Sequence, residues 1–258
     1  MQTIKEIFEY KQMIFSLVRK DLRGRYKGSV LGFLWTFINP LLQLLVYTMV
    51  FSVILRSGIE KYYLFLFVAL IPWNFFASSL QGGARAILNE QSLVTKIYFP
   101  REVLPISYVT SNFINMLYCF IIVFLVLIIS GIKLSPIALL CLIPVMILEY
   151  IMSVGIALFT SSVTVYFRDF EHIMGIVGMA WQYLTPVMYP MDWVPDKLRI
   201  IFNLNPMTPI IQAYRDILYY SKVPDMSTLV SAAVFAFAVL IVGYAVFGAL
   251  KKRFAEEM

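Results

Sequence analysis

The chain contains six long apolar stretches, at residues 29–55, 62–81, 103–131, 134–165, 173–190 and 227–250. A helix needs about 20 predominantly apolar residues to cross a hydrocarbon core that is about 30 Å thick. Each stretch meets or nearly meets that length. Only 14% of the 258 residues are charged, against about 25% in soluble domains. The sequence therefore predicts a polytopic membrane protein with six spans.

The predicted fold class is all-α. Lipid offers no partners to backbone N–H and C=O groups, so a span must satisfy its own, and the alternating pattern of a membrane barrel is absent. Because the loops are short, we predict one membrane domain over residues 1–258. Its parts are an amino-terminal arm (1–28), the first five spans (29–190), a pair of short helices (191–225) and the sixth span with its tail (226–258).

The distribution of Lys and Arg predicts the orientation in the membrane. Cytoplasmic segments carry an excess of these residues. If the amino terminus is cytoplasmic, the inner segments hold 14 of the 21 Lys and Arg residues and the outer segments hold 7. We therefore predict that both termini are cytoplasmic. The net charge of +6 is then an orientation signal, and nucleic acid is not an expected partner.

The arm combines a predicted interfacial helix with a basic cluster. Apolar residues recur at helical spacing over 1–22 with basic residues between them, which is typical of a helix lying in the membrane interface. Arg23, Arg25 and Lys27 follow, at the inner mouth of the first span. Anionic lipid alone attracts such clusters. The forked donors of arginine also suit a lipid pyrophosphate, and the residues leave both interpretations open.

Glu149 is the one carboxylate deep within a predicted span. An ionisable residue at membrane depth is by default a functional candidate that faces the bundle interior or a wet cavity. A lone Glu lacks the partner that a proton relay needs, so a hydrogen-bonded structural role is the equal alternative.

Residues 191–225 are too polar to cross the membrane and too apolar for a free loop. Pro195 begins one predicted short helix, and the string NPMTP at 205–209 begins another. We expect two re-entrant or interfacial helices on the outer side, which shape the exit of a pathway.

Aromatic residues concentrate at the outer ends of the spans, where interface belts explain most of them. Tyr47 and Phe51 lie four residues apart and so share one helical face, where they could offer rings to a passing sugar. Trp181 and Tyr183 of the fifth span are candidates for the same aromatic lining.

The loop between the second and third spans contains a predicted amphipathic helix over 89–102. Asn89 is placed to cap it, Leu93, Val94 and Ile97 form its apolar stripe, and Pro100 stops it. A helix held by two spans is a lever for a partner protein. A helix lying on lipid is the alternative.

The residues that catalysis requires are missing. The sequence has one histidine, His172, and no pattern of paired carboxylates, Ser with His or Cys with His. The string GRYKGS lacks the ending of a phosphate-binding loop. We predict a protein that is not an enzyme and holds no cofactor, so that any ATP and Mg²⁺ bind to another subunit.

Four strings resemble the membrane subunit of ABC-2 type exporters of lipid-linked polysaccharide, similar to Wzm-like O-antigen permeases and TarG-like teichoic acid permeases. They are KDLRGRYKGSVLGFLWTFINPLL at 20–42, LVTKIYFPREVLP at 93–105, YFRDFEHI at 166–173, and TPVMYPMDWVP through LNPMTPIIQAYRDILY over 185–219. Together they cover nearly the whole chain, and the combination is more specific than any one string.

The resemblance implies a homodimer bound to two cytoplasmic ATPase subunits in the bacterial inner membrane, which passes a glycan on an undecaprenyl pyrophosphate carrier. The first and fifth spans would form the dimer interface. Residues 89–100 match the coupling helix, 1–22 the interfacial gate helix and 195–220 the re-entrant pair. The implied ATPase contacts are Asn89, Leu93, Val94, Lys96, Ile97, Tyr98, Phe99, Arg168 and Asp169.

Two other functions remain as alternatives. An exporter of drugs or small lipids from the same superfamily would share the architecture. A membrane-embedded enzyme of glycan assembly would need the acid and base pairs that the sequence lacks.

Overall fold

The computed structural model describes residues 2–25 and 27–257, and these are about 80% helical with no strand among them. The predicted all-α class is therefore confirmed. The helices are α1 (Gln2–Glu9), α2 (Lys11–Gly24), α3 (Trp35–Thr48), α4 (Tyr62–Ala84), α5 (Gln91–Lys96), α6 (Val103–Ile129), α7 (Pro136–Tyr166), α8 (Phe170–Tyr183), α9 (Asp196–Leu204), α10 (Met207–Leu218), α11 (Met226–Leu250) and α12 (Phe254–Glu257).

Five continuous helical segments in the described chain are long and apolar enough to cross a membrane: Gly32–Ile54, Tyr62–Ala84, Val103–Ile129, Pro136–Tyr166 and Met226–Arg253. The first joins a 3₁₀ turn, α3 and a terminal π-helical turn. They correspond to five of the six predicted spans.

The stretch predicted as the fifth span is helical only in part. Helix α8 has 14 residues, or about 21 Å at 1.5 Å per residue. The chain turns after Tyr183, and Thr185, Val187 and Met188 are buried in this turn. Pro186 disfavours helical backbone at the residue before it, which explains why the helix does not continue to residue 190.

The arm consists of two helices rather than one, because the chain bends at Tyr10 between α1 and α2. Helix α2 packs along α6 and buries Val18. The arm is therefore attached to the helical body.

Helix α4 occupies the centre of the body. Helices α3, α6, α7, α8 and α10 pack around it. Of the 18 most apolar consecutive residues of α4, 78% are buried, against 6% in the corresponding stretch of Gly32–Ile54. The first long helical segment thus lies on the outside of this single chain, and α4 lies in its core.

Four segments meet at one end of the body, here called the arm end. Lys20 of α2 pairs with Glu90 at 2.5 Å, and Lys251 pairs with Glu102 at 2.6 Å. The hydroxyl of Tyr166 donates to the carbonyl of Leu250. These contacts join the arm, the α4–α6 connection, the α7–α8 turn and the carboxy-terminal tail.

The remaining connections meet at the opposite end. Lys61 donates to the carbonyl of Ser130 at 2.9 Å, which joins the α3–α4 and α6–α7 connections. Tyr62 donates to the carbonyl of Met188, and Tyr219 donates to that of Glu60. The α8–α9 and α10–α11 connections therefore lie at this same end.

Helices α7 and α11 touch backbone to backbone at Gly155 and Gly243. A Cβ at Gly243 would lie 2.0 Å from the carbonyl oxygen of Gly155, and a Cβ at Gly155 would lie 2.6 Å from the backbone of Leu240. Small residues at such contacts let membrane helices pack without a hydrophobic driving force.

We predict that Gly243→Ala destabilises the protein by about 1–3 kcal/mol, because the added methyl group must push the two backbones apart. Gly248→Ala, on the same helix, is the matched control, since a Cβ there meets nothing within 4 Å. The melting temperatures of both variants can be measured in detergent, by size-exclusion chromatography of samples heated to increasing temperatures. Equal melting temperatures for the two variants would contradict the backbone contact.

Candidate functional site

A polar cavity of about 300 Å³ lies between α3, α4 and α6. Half of the side chains that line it are amides or hydroxyls, and we call it the amide cavity. Its amides and hydroxyls are those of Asn39, Gln43, Asn74, Gln81, Asn112, Asn115, Thr36 and Ser78. Trp35 adds an aromatic ring.

Helical spacing brings these amides to one place. Asn39 and Gln43 lie four residues apart and share one face of α3. On α4, Ser78 and Gln81 are exposed and Asn74 is half-buried, although most other residues of that helix are buried. Asn74 donates to the side-chain carbonyl of Gln43 at 2.8 Å, which links α3 to α4 across the cavity.

Arg25 lies between the amide cavity and a second cavity of about 410 Å³ under the arm. Its guanidinium donates to Asp21 at 2.7 Å, to the side-chain oxygen of Asn112 at 2.8 Å and to Ser111 at 3.1 Å. Ser111 also donates to Asp21. This network fastens the end of α2 to α6.

The structure separates the three basic residues of the predicted pyrophosphate site. Arg25 is engaged in the network with Asp21, whereas Arg23 and Lys27 are exposed. Only the latter two therefore present their charges to the surroundings.

The predicted coupling segment is compact, and its helix is shorter than expected. A 3₁₀ turn at Leu88–Glu90 precedes α5, which ends at Lys96. The predicted cap at Asn89 is wrong: the N-cap residue of α5 is Glu90, without a side-chain hydrogen bond. The predicted extent to residue 102 is also wrong, because Ile97 is extended.

Buried side chains hold this segment on the body, and one side chain projects from it. Val94 and Phe99 are 4% and 5% exposed, whereas Tyr98 is 94% exposed. Leu93 is half-buried. The other predicted contact residues of the segment, Asn89, Lys96 and Ile97, are exposed.

The second predicted contact segment lies at the same end. Arg168 and Asp169 are exposed in the α7–α8 turn. Two residues further on, Glu171 forms an ion pair with Arg85 at the end of α4. This ion pair joins the end of α4, just before the coupling segment, to the beginning of α8, just after Arg168 and Asp169.

The four aromatic residues proposed as a lining are not gathered in the amide cavity. Phe51 stacks on Tyr62, with 6.0 Å between ring centroids. Trp181 donates from its indole N–H to Asn205 at 2.8 Å. Tyr47 is half-buried and Tyr183 is 57% exposed. The first two rings thus serve packing and anchoring of the chain.

Glu149 is fully buried and joins α7 to α10. It accepts a hydrogen bond from the hydroxyl of Tyr214 at 2.6 Å, while its other oxygen has no partner among the described residues. The contact links α7 to α10 through one hydrogen bond.

Arg215 is a buried cation that the sequence reasoning missed. It is 4% exposed, donates to the backbone carbonyls of Val187, Tyr189 and Phe65, and lies 3.7 Å from the centroid of the Phe65 ring. Carbonyls and an aromatic face replace the water that the guanidinium loses. Arg215 thereby fixes α10 and the turn after α8 to α4.

The neighbouring Asp216 pairs with Lys222 at 3.1 Å. Partial burial raises the pKa of Asp216, and the hydrogen bond from Lys222 opposes that rise. No group of three or more His, Cys, Asp or Glu side chains in the described ranges is arranged to hold a metal ion.

The amides also escaped the sequence reasoning, although a signal existed. Polar residues recur at intervals of three or four in otherwise apolar helices, as in Asn74, Ser78 and Gln81. Such a stripe in a membrane helix indicates a face that avoids lipid. Which other helices face it depends on tertiary packing.

Residues 12–219 match the family described as ABC-2 type transporter. The whole chain is 34% identical to the O-antigen export system permease protein RfbA of Myxococcus xanthus, with 100% of both chains aligned. A protein of the same name from Klebsiella pneumoniae is 33% identical over 95% of this chain and 94% of its own. The polysialic acid transport protein KpsM of Escherichia coli is 23% identical over 92% and 93%.

We predict that Arg215→Lys destabilises the protein by about 1.5–3 kcal/mol, because a lysine cannot reproduce three divergent hydrogen bonds and the stacked contact. Arg199→Lys is the matched control, since Arg199 is about half exposed and its partners in the described chain are Asp196 and the carbonyl of Val194. Thermal melting in detergent compares them. An equal decrease in melting temperature for the two variants would contradict the anchoring role of Arg215.

Proposed function

Because the chain belongs to the ABC-2 type transporter family, we propose that it is the transmembrane permease subunit of an ATP-driven exporter of polysaccharide in the bacterial inner membrane. The observation that carries the proposal is the alignment of 95–100% of the chain with proteins named for O-antigen export. The chain is a transport permease and not an enzyme.

We infer that the chain crosses the membrane six times with both termini in the cytoplasm. The grouping of connections at two ends supports this, because each long helix runs from one group to the other. Helix α8 and residues 184–190 supply the fifth crossing. A non-helical segment at membrane depth is tolerated where protein buries it, and Thr185, Val187 and Met188 are buried.

Helices α9 and α10 are the re-entrant pair of this arrangement. The burial of α10 against α4, α7 and α11, at the end opposite the arm, supports this assignment. In our proposal that end is extracytoplasmic, and the pair shapes the exit of the pathway.

Two copies of the chain assemble with two ATPase subunits, which hold ATP and Mg²⁺. The outer faces of the first and fifth crossings support this dimer interface, since Leu45 and Val46 of α3 and Ile176 and Met179 of α8 are more than half exposed. The proposed contact with the ATPase is supported by the α4–α6 connection, from which the exposed side chains of Ile97 and Tyr98 project beside the buried Phe99.

Lipid-linked polysaccharide on an undecaprenyl pyrophosphate carrier is the proposed substrate. Arg23 and Lys27 attract the pyrophosphate electrostatically at the arm end. Arg25 instead acts as a fastening of the arm, because Asp21 already compensates its charge.

The substrate proposal predicts that lipid-linked polysaccharide stimulates ATP hydrolysis by the reconstituted complex of this chain and its ATPase. With Arg23→Gln and Lys27→Gln combined, half-maximal stimulation should need more of that substrate, because two attracting charges are lost. Lys133→Gln is the control, because Lys133 is an exposed basic residue in the α6–α7 connection, at the opposite end of the body. Stimulation by small amphiphiles but not by polysaccharide would favour the drug or small-lipid exporter.

The coupling proposal predicts that Tyr98→Ala weakens binding of the ATPase about thirtyfold, since loss of a buried interface tyrosine costs about 2 kcal/mol or more. The fold should persist, because Tyr98 is almost fully exposed in this chain. Co-purification and export assays measure the effect, with the exposed Tyr220 at the opposite end replaced as the control. Normal assembly and normal export by Tyr98→Ala would overturn the assignment.

A further inference from the structure

We propose that the amide cavity is a saccharide-binding site, in which the neutral side chains of α3, α4 and α6 hydrogen-bond the hydroxyl groups of the exported polymer. The inference rests on the proposed function and deepens it by assigning the residues that touch the sugar. It replaces the aromatic lining that the sequence suggested with an amide lining.

Unsatisfied polar groups in the cavity provide the first argument. Within the described chain, Asn39 and Gln81 have no hydrogen-bond partner, and both side chains are exposed. A polar group without a partner costs several kcal/mol in hydrocarbon. These two amides therefore face water or a polar ligand, and Ser78, one turn from Gln81 on α4, lines the same space.

The chemistry of the lining selects the ligand class. Each amide offers a carbonyl acceptor and an N–H₂ donor, which match the acceptor and donor character of a sugar hydroxyl. Trp35 supplies an apolar ring beside them, to which the C–H face of a sugar can pack. The volume of about 300 Å³ lies at the lower limit of ligand pockets, which is about 300–1,000 Å³. It suits a short stretch of a chain.

The charge of the lining argues against an anionic headgroup. Arg25 is the one ionisable Lys, Arg, Asp or Glu among the described residues around the cavity. Its guanidinium is already bonded to Asp21, Ser111 and Asn112. The carboxylate of Asp21 beside it would repel a phosphate, whereas an uncharged polymer meets no such repulsion.

The amide cavity adjoins the second cavity. Arg25 borders the second cavity, which lies under the arm beside Lys20 and Glu90. A polymer in the amide cavity would therefore lie directly beyond the fastening between α2 and α6. Release of that fastening would join the two spaces.

The first test removes two amides that have no hydrogen-bond partner within the described chain. Asn39→Leu combined with Gln81→Leu should lower polysaccharide export by about fivefold for each hydrogen bond lost. The melting temperature should change little, because neither amide forms a hydrogen bond within the described chain and leucine can keep the packing of residue 81 against Gly178 of α8. Asn203→Leu, an exposed amide on α9 outside the cavity, is the matched control. Normal export by the double variant would overturn the proposal.

The second test detects the occupant directly. In full-length protein with Cys119→Ala and Cys141→Ala, the variant Ser78→Cys is exposed to a membrane-impermeant sulfonated methanethiosulfonate. Labelling should be faster than for Leu45→Cys, on the outer face of α3, and should slow when the cells synthesise the lipid-linked glycan. Absence of labelling at Ser78→Cys, or an equal rate with and without the glycan, would overturn the proposal.

The controls separate this inference from the proposed function. If the wild-type complex exports no polysaccharide, the proposed function fails. If the wild type exports normally and the amide variants do too, this inference alone fails. Protection of Ser78→Cys by undecaprenyl pyrophosphate without its glycan would assign the cavity to the carrier headgroup and overturn the saccharide assignment.

Discussion

A polar group at membrane depth must find a partner in the protein or in water, and this constraint organises the structure. Arg215 meets it with three backbone carbonyls and an aromatic face. Glu149 meets it in part through Tyr214. Asn74 of α4 and Gln43 of α3 meet it through each other, whereas Asn39 and Gln81 meet it through the cavity that they line. The first two sites hold helices together, and the third is available to a ligand.

Contacts within the helical body differ in strength from those at the arm end. Within the body, α7 and α11 touch backbone to backbone at Gly155 and Gly243, and Arg215 fixes α10 to α4. At the arm end, partly exposed ion pairs such as Lys20 with Glu90 join the connections. Exposed pairs contribute about 0–1 kcal/mol each. A force on the α4–α6 connection could therefore rearrange them without unfolding the helices.

Most of the helices could be predicted from the sequence, because hydrophobicity over a window of about 20 residues is a local property. Boundaries were less predictable. Helix α8 ends early because of Pro186 and the buried turn that follows. The cap at Asn89 failed because a 3₁₀ turn already occupies that position. Of the proposed site residues, Tyr98 lies exposed as a contact would require, whereas the rings of Phe51 and Trp181 are engaged in packing.

The sequence by itself determined that this chain is helical, that it lies in a membrane and which family it resembles, since composition and continuous strings carry that information. Only the tertiary structure decided which polar residues are partnered. Asn39, Asn74 and Asn112 belong to three different helices, and their approach depends on how those helices pack. The same packing buries Arg215 among carbonyls that precede it by 26 to 150 residues. Such partners are distant in the chain, so no local pattern of residues specifies them.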